Sequence, residues 1–394
     1  MARAQSERFE VDPATHLGHR PALDGLRALA VLPVMLGHAV SSTAPGGFSG
    51  VRLFFVLSGF LITTLLVEEW ASRGLIRLGA FYTRRALRLL PALFFVLAVD
   101  LVVVAAFDGA SGVSSRMATV GSVVAYVANW KFIAAPLGPN AGRELGHLWS
   151  LSVEEQFYFL WPLGLVLLLR FAKARTMLVI TALLAAVSWG VSEVLALSAK
   201  TTRNAIELGA TVKTAGVRHE FYGTDAVAYA ILVGCLVALL RSSGRIGSDA
   251  RTQRFLQRAA VAGVLFYGIV VVFYPASGTR EVLLGVLTIG FAFMILGAVD
   301  APRSVFAQLL SIPVLQAIGR VSYGLYLWHF VVLSQLRRHY ALQTPQLVIL
   351  AAILTTAATL VSYRFVEQPF LRLKRRFSSE RALGAAEAVP SAAR

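Results

Sequence analysis

The sequence predicts an all-α fold, a polytopic bundle of transmembrane helices. Of its 394 residues, 57% are apolar and only 15% are charged, and the mean hydropathy is +0.68. A soluble domain carries about 25% charged residues. Apolar stretches of about twenty residues recur along the chain, and each is long enough to cross a hydrocarbon core of about 30 Å. This composition excludes an ordinary water-soluble enzyme.

Ten apolar stretches each predict one membrane crossing. They cover residues 25–41, 50–70, 86–107, 150–171, 176–198, 221–240, 258–274, 282–299, 312–336 and 346–370. An eleventh stretch, residues 117–135, is weaker because Asn129 and Lys131 interrupt it and Pro136 follows it. We expect this stretch to be a re-entrant or interfacial piece, which leaves about ten full crossings.

Basic clusters between the stretches predict the orientation of the chain. The clusters lie at residues 73–88, 170–175, 241–254 and 372–376. With the N-terminus inside, ten crossings place all four clusters on the cytoplasmic side, as the positive-inside rule requires. We therefore expect a multi-pass protein of the plasma or inner membrane. Residues 1–20 would form a cytoplasmic N-terminal tail, 21–371 the transmembrane domain, and 372–394 a basic, disordered cytoplasmic tail.

The charge balance and the cysteine content exclude other classes of protein. The net charge of +16 lies in the short segments between apolar stretches, so membrane topology explains it and no nucleic-acid partner is expected. The single cysteine, Cys235, lies within an apolar stretch and excludes disulfides and cysteine-rich metal sites. We expect no metal cofactor, and the oligomeric state is left open.

The first stretch carries three ionisable residues, which are costly within a membrane and are therefore candidates for function. Arg27 and His38 are eleven positions apart, which places them on one helix face about 16 Å apart along the axis. Asp24 lies one turn before Arg27. A structural alternative is that Asp24 and Arg27 form an i,i+3 ion pair while His38 hydrogen-bonds a neighbouring helix.

Three arginines, Arg84, Arg85 and Arg88, begin the third stretch. Arg84 and Arg88 are four positions apart and share a helix face. Two guanidinium groups on one face suit a phosphate-bearing ligand that arrives from the cytoplasm. The alternative is an anchor to lipid headgroups.

Two adjacent carboxylates, Glu154 and Glu155, lie near the start of the fourth full stretch. The predicted orientation places this end at the outer face of the membrane, at the same depth as His38. Adjacent positions point about 100° apart, so only one is expected to face a groove shared with His38. An acidic helix start at the interface is the structural alternative. Tyr158 follows one turn later and is a candidate for the substrate platform or for the aromatic belt.

Further polar residues within apolar stretches are Asp225 in the sixth and Tyr326 and His329 in the ninth. Tyr326 and His329 are three apart and share a helix face. An interhelical hydrogen bond is the favoured explanation for Tyr326, whereas substrate contacts stay open for Asp225 and His329.

The residues above occur in stretches that resemble the membrane-bound acyltransferase 3 family. The stretches are DGLRALAV at 24–31 with His38, FFVLSGFLIT at 54–63, RRALRLLP at 84–91, WSLSVEEQFY at 149–158, SYGLYLWH at 322–329 and EQPF at 367–370. They follow the family's order and together span about residues 20–371. One departure is in the sixth stretch, where Val227 and Tyr229 stand at positions at which other members often carry Arg and Asp.

The resemblance implies an integral-membrane O-acyltransferase. Such an enzyme takes an acyl group, often acetyl, from cytoplasmic acyl-CoA as co-substrate and passes it to a hydroxyl of a carbohydrate, a cell-envelope glycan or a macrolide-type acceptor. Its partners would be the lipid bilayer, the acyl-CoA donor and that acceptor. The family's catalytic arginine and histidine match Arg27 and His38.

On this reading, each group of residues takes a role in acyl transfer. Arg84, Arg85 and Arg88 hold the CoA phosphates, Arg27 guides or polarises the donor, and His38 acts as the base or as an acyl carrier. Glu154 or Glu155 orients the imidazole or binds the acceptor. The remaining candidates for substrate binding are Asp24, Tyr158, Asp225, Tyr326 and His329. The alternative function is a transporter or flippase whose pathway the same charges line.

Overall fold

The computed structural model describes residues 9–134, 145–207, 215–274 and 280–374, and in these ranges the chain is helical with no strand. The all-α prediction is therefore confirmed. The helices are α1 Pro21–Ala39, α2 Gly50–Arg73, α3 Leu78–Val124, α4 Ala128–Ala134, α5 Trp149–Phe171, α6 Ala174–Glu207, α7 Ala215–Tyr222, α8 Thr224–Ser242, α9 Ala250–Val272, α10 Arg280–Asp300, α11 Val305–Leu310, α12 Pro313–Arg320, α13 Ser322–His339, α14 Thr344–Val361 and α15 Gln368–Lys374.

Eight helical segments in the described ranges are long and apolar enough to cross a membrane. They include α1, α2, α3, α6, α8, α9, α10 and the segment that begins with α14. Two other predicted crossings, α5 and α13, are not among the eight, because polar side chains interrupt both helices. The chain is thus a multi-pass membrane protein, and the count of ten crossings stays a prediction.

Helix α3 combines the third predicted crossing with the start of the weak stretch. Its 47 residues are interrupted at Gly109, where φ is 67° and ψ is −163°. A positive φ favours glycine, which has no Cβ to clash with the backbone. Arg116 lies beyond this break, and its Nε is 3.4 Å from Asp100 Oδ2. A straight helix would separate these residues by about 24 Å, so the chain reverses direction at Gly109. The rest of the weak stretch forms a turn and then α4.

The central helix pair of the bundle is α2 and α8, which approach closely at two glycines. A Cβ at Gly59 would collide with the carbonyl oxygen of Ile231, and a Cβ at Gly234 would collide with that of Val56. Small residues let membrane helices pack backbone against backbone. This contact keeps α2 in the middle of the bundle, where it forms one wall of the site described below.

The described part of the N-terminal segment packs against one end of the bundle. The Asp12 N–H donates to the Ser242 carbonyl at 2.8 Å, and the Leu17 N–H donates to Glu68 at 2.7 Å. Arg241 pairs with Asp300 at 2.7 Å at the same end. The N-terminal segment and the basic ends of α2 and α8 therefore share one face. Of the predicted C-terminal tail, residues 375–394 lie outside the described residues.

Candidate active site

A cavity of about 200 Å³ lies between five helices, with walls from α1, α2, α3, α5 and α13. Its apolar walls come mainly from α2. Its polar lining contains six of the residues selected from the sequence, which are Arg27, Arg85, Arg88, Glu154, Tyr158 and Tyr326. Residues that are up to 299 positions apart in the chain thus meet at one cavity.

Arg27 faces the cavity and also forms the ion pair that was the structural alternative. Its Nη1 is 3.0 Å from Asp24 Oδ1, one turn earlier on α1. Asp24 is buried and does not line the cavity. Its carboxylate therefore acts on the cavity through Arg27, whose guanidinium it holds in place.

Arg85 is held inside the bundle by an aromatic ring and two carboxylates. Its Cζ lies 3.6 Å from the centre of the Tyr158 ring, and the Tyr158 hydroxyl hydrogen-bonds Ser58. The guanidinium interacts electrostatically with both Glu154 and Glu155. Its Nε is buried and has no hydrogen-bond partner in the described part of the chain. A buried donor without a partner points to a ligand or water in the cavity.

Arg88 completes the cationic lining. No ion pair joins it to another residue in the described ranges, and its charged neighbours are Arg27 and Arg85 together with the carboxylates of Asp24, Glu154 and Glu367. Three guanidiniums and one carboxylate, that of Glu154, line the cavity, so its lining carries a net positive charge. The cavity is therefore suited to an anionic group.

Arg84 lies on another side of α3 and does not line the cavity. Its Nη2 is 3.3 Å from Glu69 Oε2 at the end of α2. The pair of arginines that faces the cavity is consequently Arg85 and Arg88, at i,i+3, rather than Arg84 and Arg88.

The two adjacent carboxylates of α5 have different surroundings. Glu154 lines the cavity, whereas Glu155 is not part of its lining. The Oε1 atom of Glu155 is buried with no hydrogen-bond partner among the described residues. This split agrees with the 100° between neighbouring positions of a helix.

His38, which is half-buried, and His329, which is buried, form a pair on the far side of Tyr326 from the cavity. His38 Nδ1 lies 3.0 Å from His329 Nε2. Tyr326 connects this pair to the cavity, because its ring lines the cavity and lies 5.5 Å from the His329 ring. The Tyr326 hydroxyl is 2.6 Å from Ser150 Oγ and donates to the His147 carbonyl at 2.6 Å.

His147 joins the histidine pair and was not among the site residues predicted from the sequence. Its ring lies 5.3 Å from that of His329 and stacks on Phe330 at 4.9 Å. A signal for it was present, because a histidine directly precedes an apolar helix that also carries two glutamates. Its proximity to positions 38 and 329 follows only from the packing.

Asp225 lies apart from the cavity. Its Oδ1 is 2.8 Å from His219 Nε2, and its side chain is 46% exposed. Among the described residues, no cluster of histidine, cysteine, aspartate and glutamate has a geometry that would hold a metal ion.

Comparison with known proteins identifies relatives along most of the chain. A family model described as an acyltransferase domain matches residues 20–364. The chain is similar to the O-acetyltransferase OatA of Staphylococcus aureus strain NCTC 8325, with 31% identity over 358 residues, and to the same-named proteins of strains COL and MRSA252. The match covers 89% of this chain and 57% of each relative. The chain thus spans little more than half the length of these relatives. No solved structure matches it significantly.

Proposed function

Because this chain belongs to the acyltransferase family, we propose that it is an integral-membrane O-acyltransferase. It would transfer an acyl group, acetyl in the first instance, from cytoplasmic acyl-CoA to a hydroxyl of a carbohydrate or cell-envelope glycan or of a macrolide-type acceptor. The proposal places the protein in the plasma or inner membrane, with both termini cytoplasmic.

The observation that carries this proposal is a cationic cavity that is connected through Tyr326 to the His38–His329 pair. Acyl transfer to an alcohol needs a base for the hydroxyl proton and positive charge for the oxyanion and for the donor's phosphates. The cavity supplies Arg27, Arg85 and Arg88, and the histidine pair supplies His38.

The donor would enter the cavity with its anionic groups towards the arginines. Arg85 and Arg88 would bind phosphate oxygens, with Arg84 at the edge of the site, because guanidinium forks match phosphate geometry. Arg27, fixed by Asp24 and about three turns of α1 away from His38, would guide the donor by contacting its anionic groups. Glu154 and Tyr326 would contact the acceptor, and Tyr158 would hold Arg85 in position. Glu155 stays an alternative to Glu154, and His329 and Asp225 stay candidates for acceptor contacts.

In the first of two routes, His38 acts as a general base. The acceptor hydroxyl gives its proton to His38 and its oxygen attacks the thioester carbonyl. The tetrahedral intermediate then expels the CoA thiolate, which takes the proton from His38. In the second route, a His38 nitrogen attacks the thioester carbonyl, and the departing CoA thiolate takes the ring proton of the acylated imidazole to become the thiol. The acceptor oxygen then attacks the acyl carbon, the bond between that carbon and the His38 nitrogen breaks, and the hydroxyl proton returns to the imidazole. Both routes need His38 beside the donor and use the same arginines.

Isotope transfer tests the proposed function. Membranes that contain the wild type are expected to move label from acetyl-CoA into a lipid, polysaccharide or small-molecule fraction. His38→Ala should lower that transfer by about 10²-fold or more, because it removes the base. The control is His339→Ala, which removes a histidine near the end of α13, away from the cavity. Full activity of His38→Ala, or no label with acetyl-CoA or longer acyl-CoAs, would favour a transporter or flippase instead.

A further inference from the structure

The His38 and His329 rings meet edge to edge. Their centroids are 5.1 Å apart, their planes are inclined by only 29°, and the Nδ1–Nε2 distance is 3.0 Å. Rings stacked face to face would not bring these two nitrogens together at that centroid distance. The contact is therefore an in-plane hydrogen bond between two imidazoles.

The backbone of α13 determines which nitrogen of His329 carries the proton. His329 Nδ1 is 2.7 Å from the Tyr326 carbonyl and 3.2 Å from the Leu325 carbonyl. Both groups only accept hydrogen bonds, so Nδ1 must be the N–H of His329. In the neutral ring, Nε2 is then the acceptor, and the proton shared with His38 belongs to His38 Nδ1.

The hydrogen bond to His329 also determines which nitrogen of His38 is reactive. With the proton on Nδ1, the lone pair of neutral His38 is on Nε2. This atom makes no hydrogen bond with a described residue, and the side chain is only partly buried. Nε2 is thus the nitrogen of His38 whose lone pair is free to accept a proton or to attack an acyl group.

We propose that His329 is a positioning residue that holds His38 in the Nδ1–H tautomer and so makes Nε2 the base or nucleophile. The His329 ring is itself fixed by two backbone carbonyls and by the packing of His147 and Phe330. The neutral imidazole of His329 orients His38 as the carboxylate orients the histidine of a Ser-His-Asp triad. In that triad, the wrong histidine tautomer lowers kcat by about 10⁴. The catalytic consequence rests on the proposed function, whereas the tautomer does not.

Two substitutions at position 329 separate the hydrogen bond from the packing. In His329→Gln, the side-chain amide reaches the place of Nε2, and its oxygen accepts from His38 Nδ1–H. His329→Leu has an apolar side chain and no acceptor. His339→Leu is the matched control, since His339 is in the same helix, contacts Gln335 and Phe107, and lies outside the cavity.

The tautomer is read directly by ¹⁵N spectra of the full chain in lipid bilayers, labelled at its seven histidines. The His38 signals are identified by their loss in His38→Gln. We expect a protonated Nδ1 and a bare Nε2 in the wild type, in His329→Gln and in His339→Leu. In His329→Leu the proton should move to Nε2 or be shared between tautomers. A wild-type His38 protonated at Nε2, or signals unchanged in His329→Leu, would overturn the proposal.

Steady-state transfer from acetyl-CoA tests the consequence for catalysis. His329→Leu should lower kcat by about 10²-fold or more and change the KM for acetyl-CoA less than about threefold, because donor binding does not involve the tautomer. His329→Gln should keep at least about a tenth of the wild-type kcat, which a purely structural role of His329 would not predict. An equal loss in His329→Gln and His329→Leu, both monodisperse in detergent, would refute the positioning role. If the wild type transfers no acyl group, the proposed function fails, and the ¹⁵N spectra still decide the tautomer.

Discussion

Charged residues inside this bundle fall into two groups, which differ in their partners. Arg27 and Arg84 have carboxylate partners at 3.0 and 3.3 Å, as structural charges in a membrane protein usually do. Arg85 and Arg88 line the cavity together with Arg27 but form no direct ion pair in the described ranges, where the buried Nε of Arg85 also has no hydrogen-bond partner. An anionic ligand in the cavity would offset the cost of burying this second group of charges.

Replacement of Arg88 should weaken the binding of the donor. Arg88→Gln is expected to raise the Kd for acetyl-CoA by about 10- to 100-fold, since a hydrogen bond to a charged group contributes about 1.5–3 kcal/mol. Equilibrium binding of labelled acetyl-CoA to the purified protein measures this effect.

The control for this binding measurement is Arg77→Gln. Arg77 is an exposed arginine that precedes α3 and does not line the cavity. Its replacement should change the Kd less than about threefold, because surface charge pairs contribute little. Equal losses in the two variants would show that only the general positive charge of this face matters.

At the scale of the helices, the reversal of α3 depends on a buried ion pair. Asp100 and Arg116 lie on the two arms of α3, on either side of Gly109, and their side chains are 1% and 3% exposed. The pair joins the arms within the apolar region. The first arm carries Arg85 and Arg88, so the pair also supports the wall of the cavity.

Removal of one partner of this pair should destabilise the protein more than removal of both. Asp100→Leu is expected to lower the free energy of unfolding by about 3–5 kcal/mol, because the charge of Arg116 stays buried without this carboxylate. The double variant Asp100→Leu/Arg116→Leu should be within about 1 kcal/mol of the wild type or more stable. Unfolding in detergent measures both values. An additive loss in the double variant would contradict this account.

On the scale of the whole molecule, the two ends of the bundle differ in the segments and ion pairs that lie there. One end holds the packed N-terminal segment and the Arg241–Asp300 pair. At the other end, Arg337 donates to the Ala39 carbonyl at 2.8 Å, and Arg338 is 3.4 Å from Asp108. His38 lies near this second end of α1, and Arg27 near the first. The arrangement allows a donor and an acceptor to approach from opposite faces.

Cysteine labelling tests the proposed orientation. The only native cysteine, Cys235, is fully buried, so the wild type should not react with a membrane-impermeant maleimide. Ser248→Cys, in the exposed loop between α8 and α9, should react only after permeabilisation. Ala341→Cys, exposed between α13 and α14, should react in intact cells. If Ser248→Cys reacted in intact cells and Ala341→Cys only after permeabilisation, the orientation would be the opposite of the proposed one, with the arginines on the outer side.

The sequence alone determined the class of the protein, most helix positions and the residue types of the site. These properties are readable because the cost of charge in a membrane makes each buried Arg, His or Glu conspicuous in an apolar stretch. The helical period also predicted that Tyr326 and His329 share a face and that only one of Glu154 and Glu155 faces a groove.

Only the tertiary structure decided which of these residues meet. The backbone reversal at Gly109, the pairing of Arg84 with Glu69, and the contact of His38 with His329 and His147 depend on how helices distant in the chain pack together. Periodicity within one helix specifies a face but not the neighbour of that face. That neighbour is selected by the shape and polarity of all the other helices at once, and so the partner of His38 was not readable from the sequence.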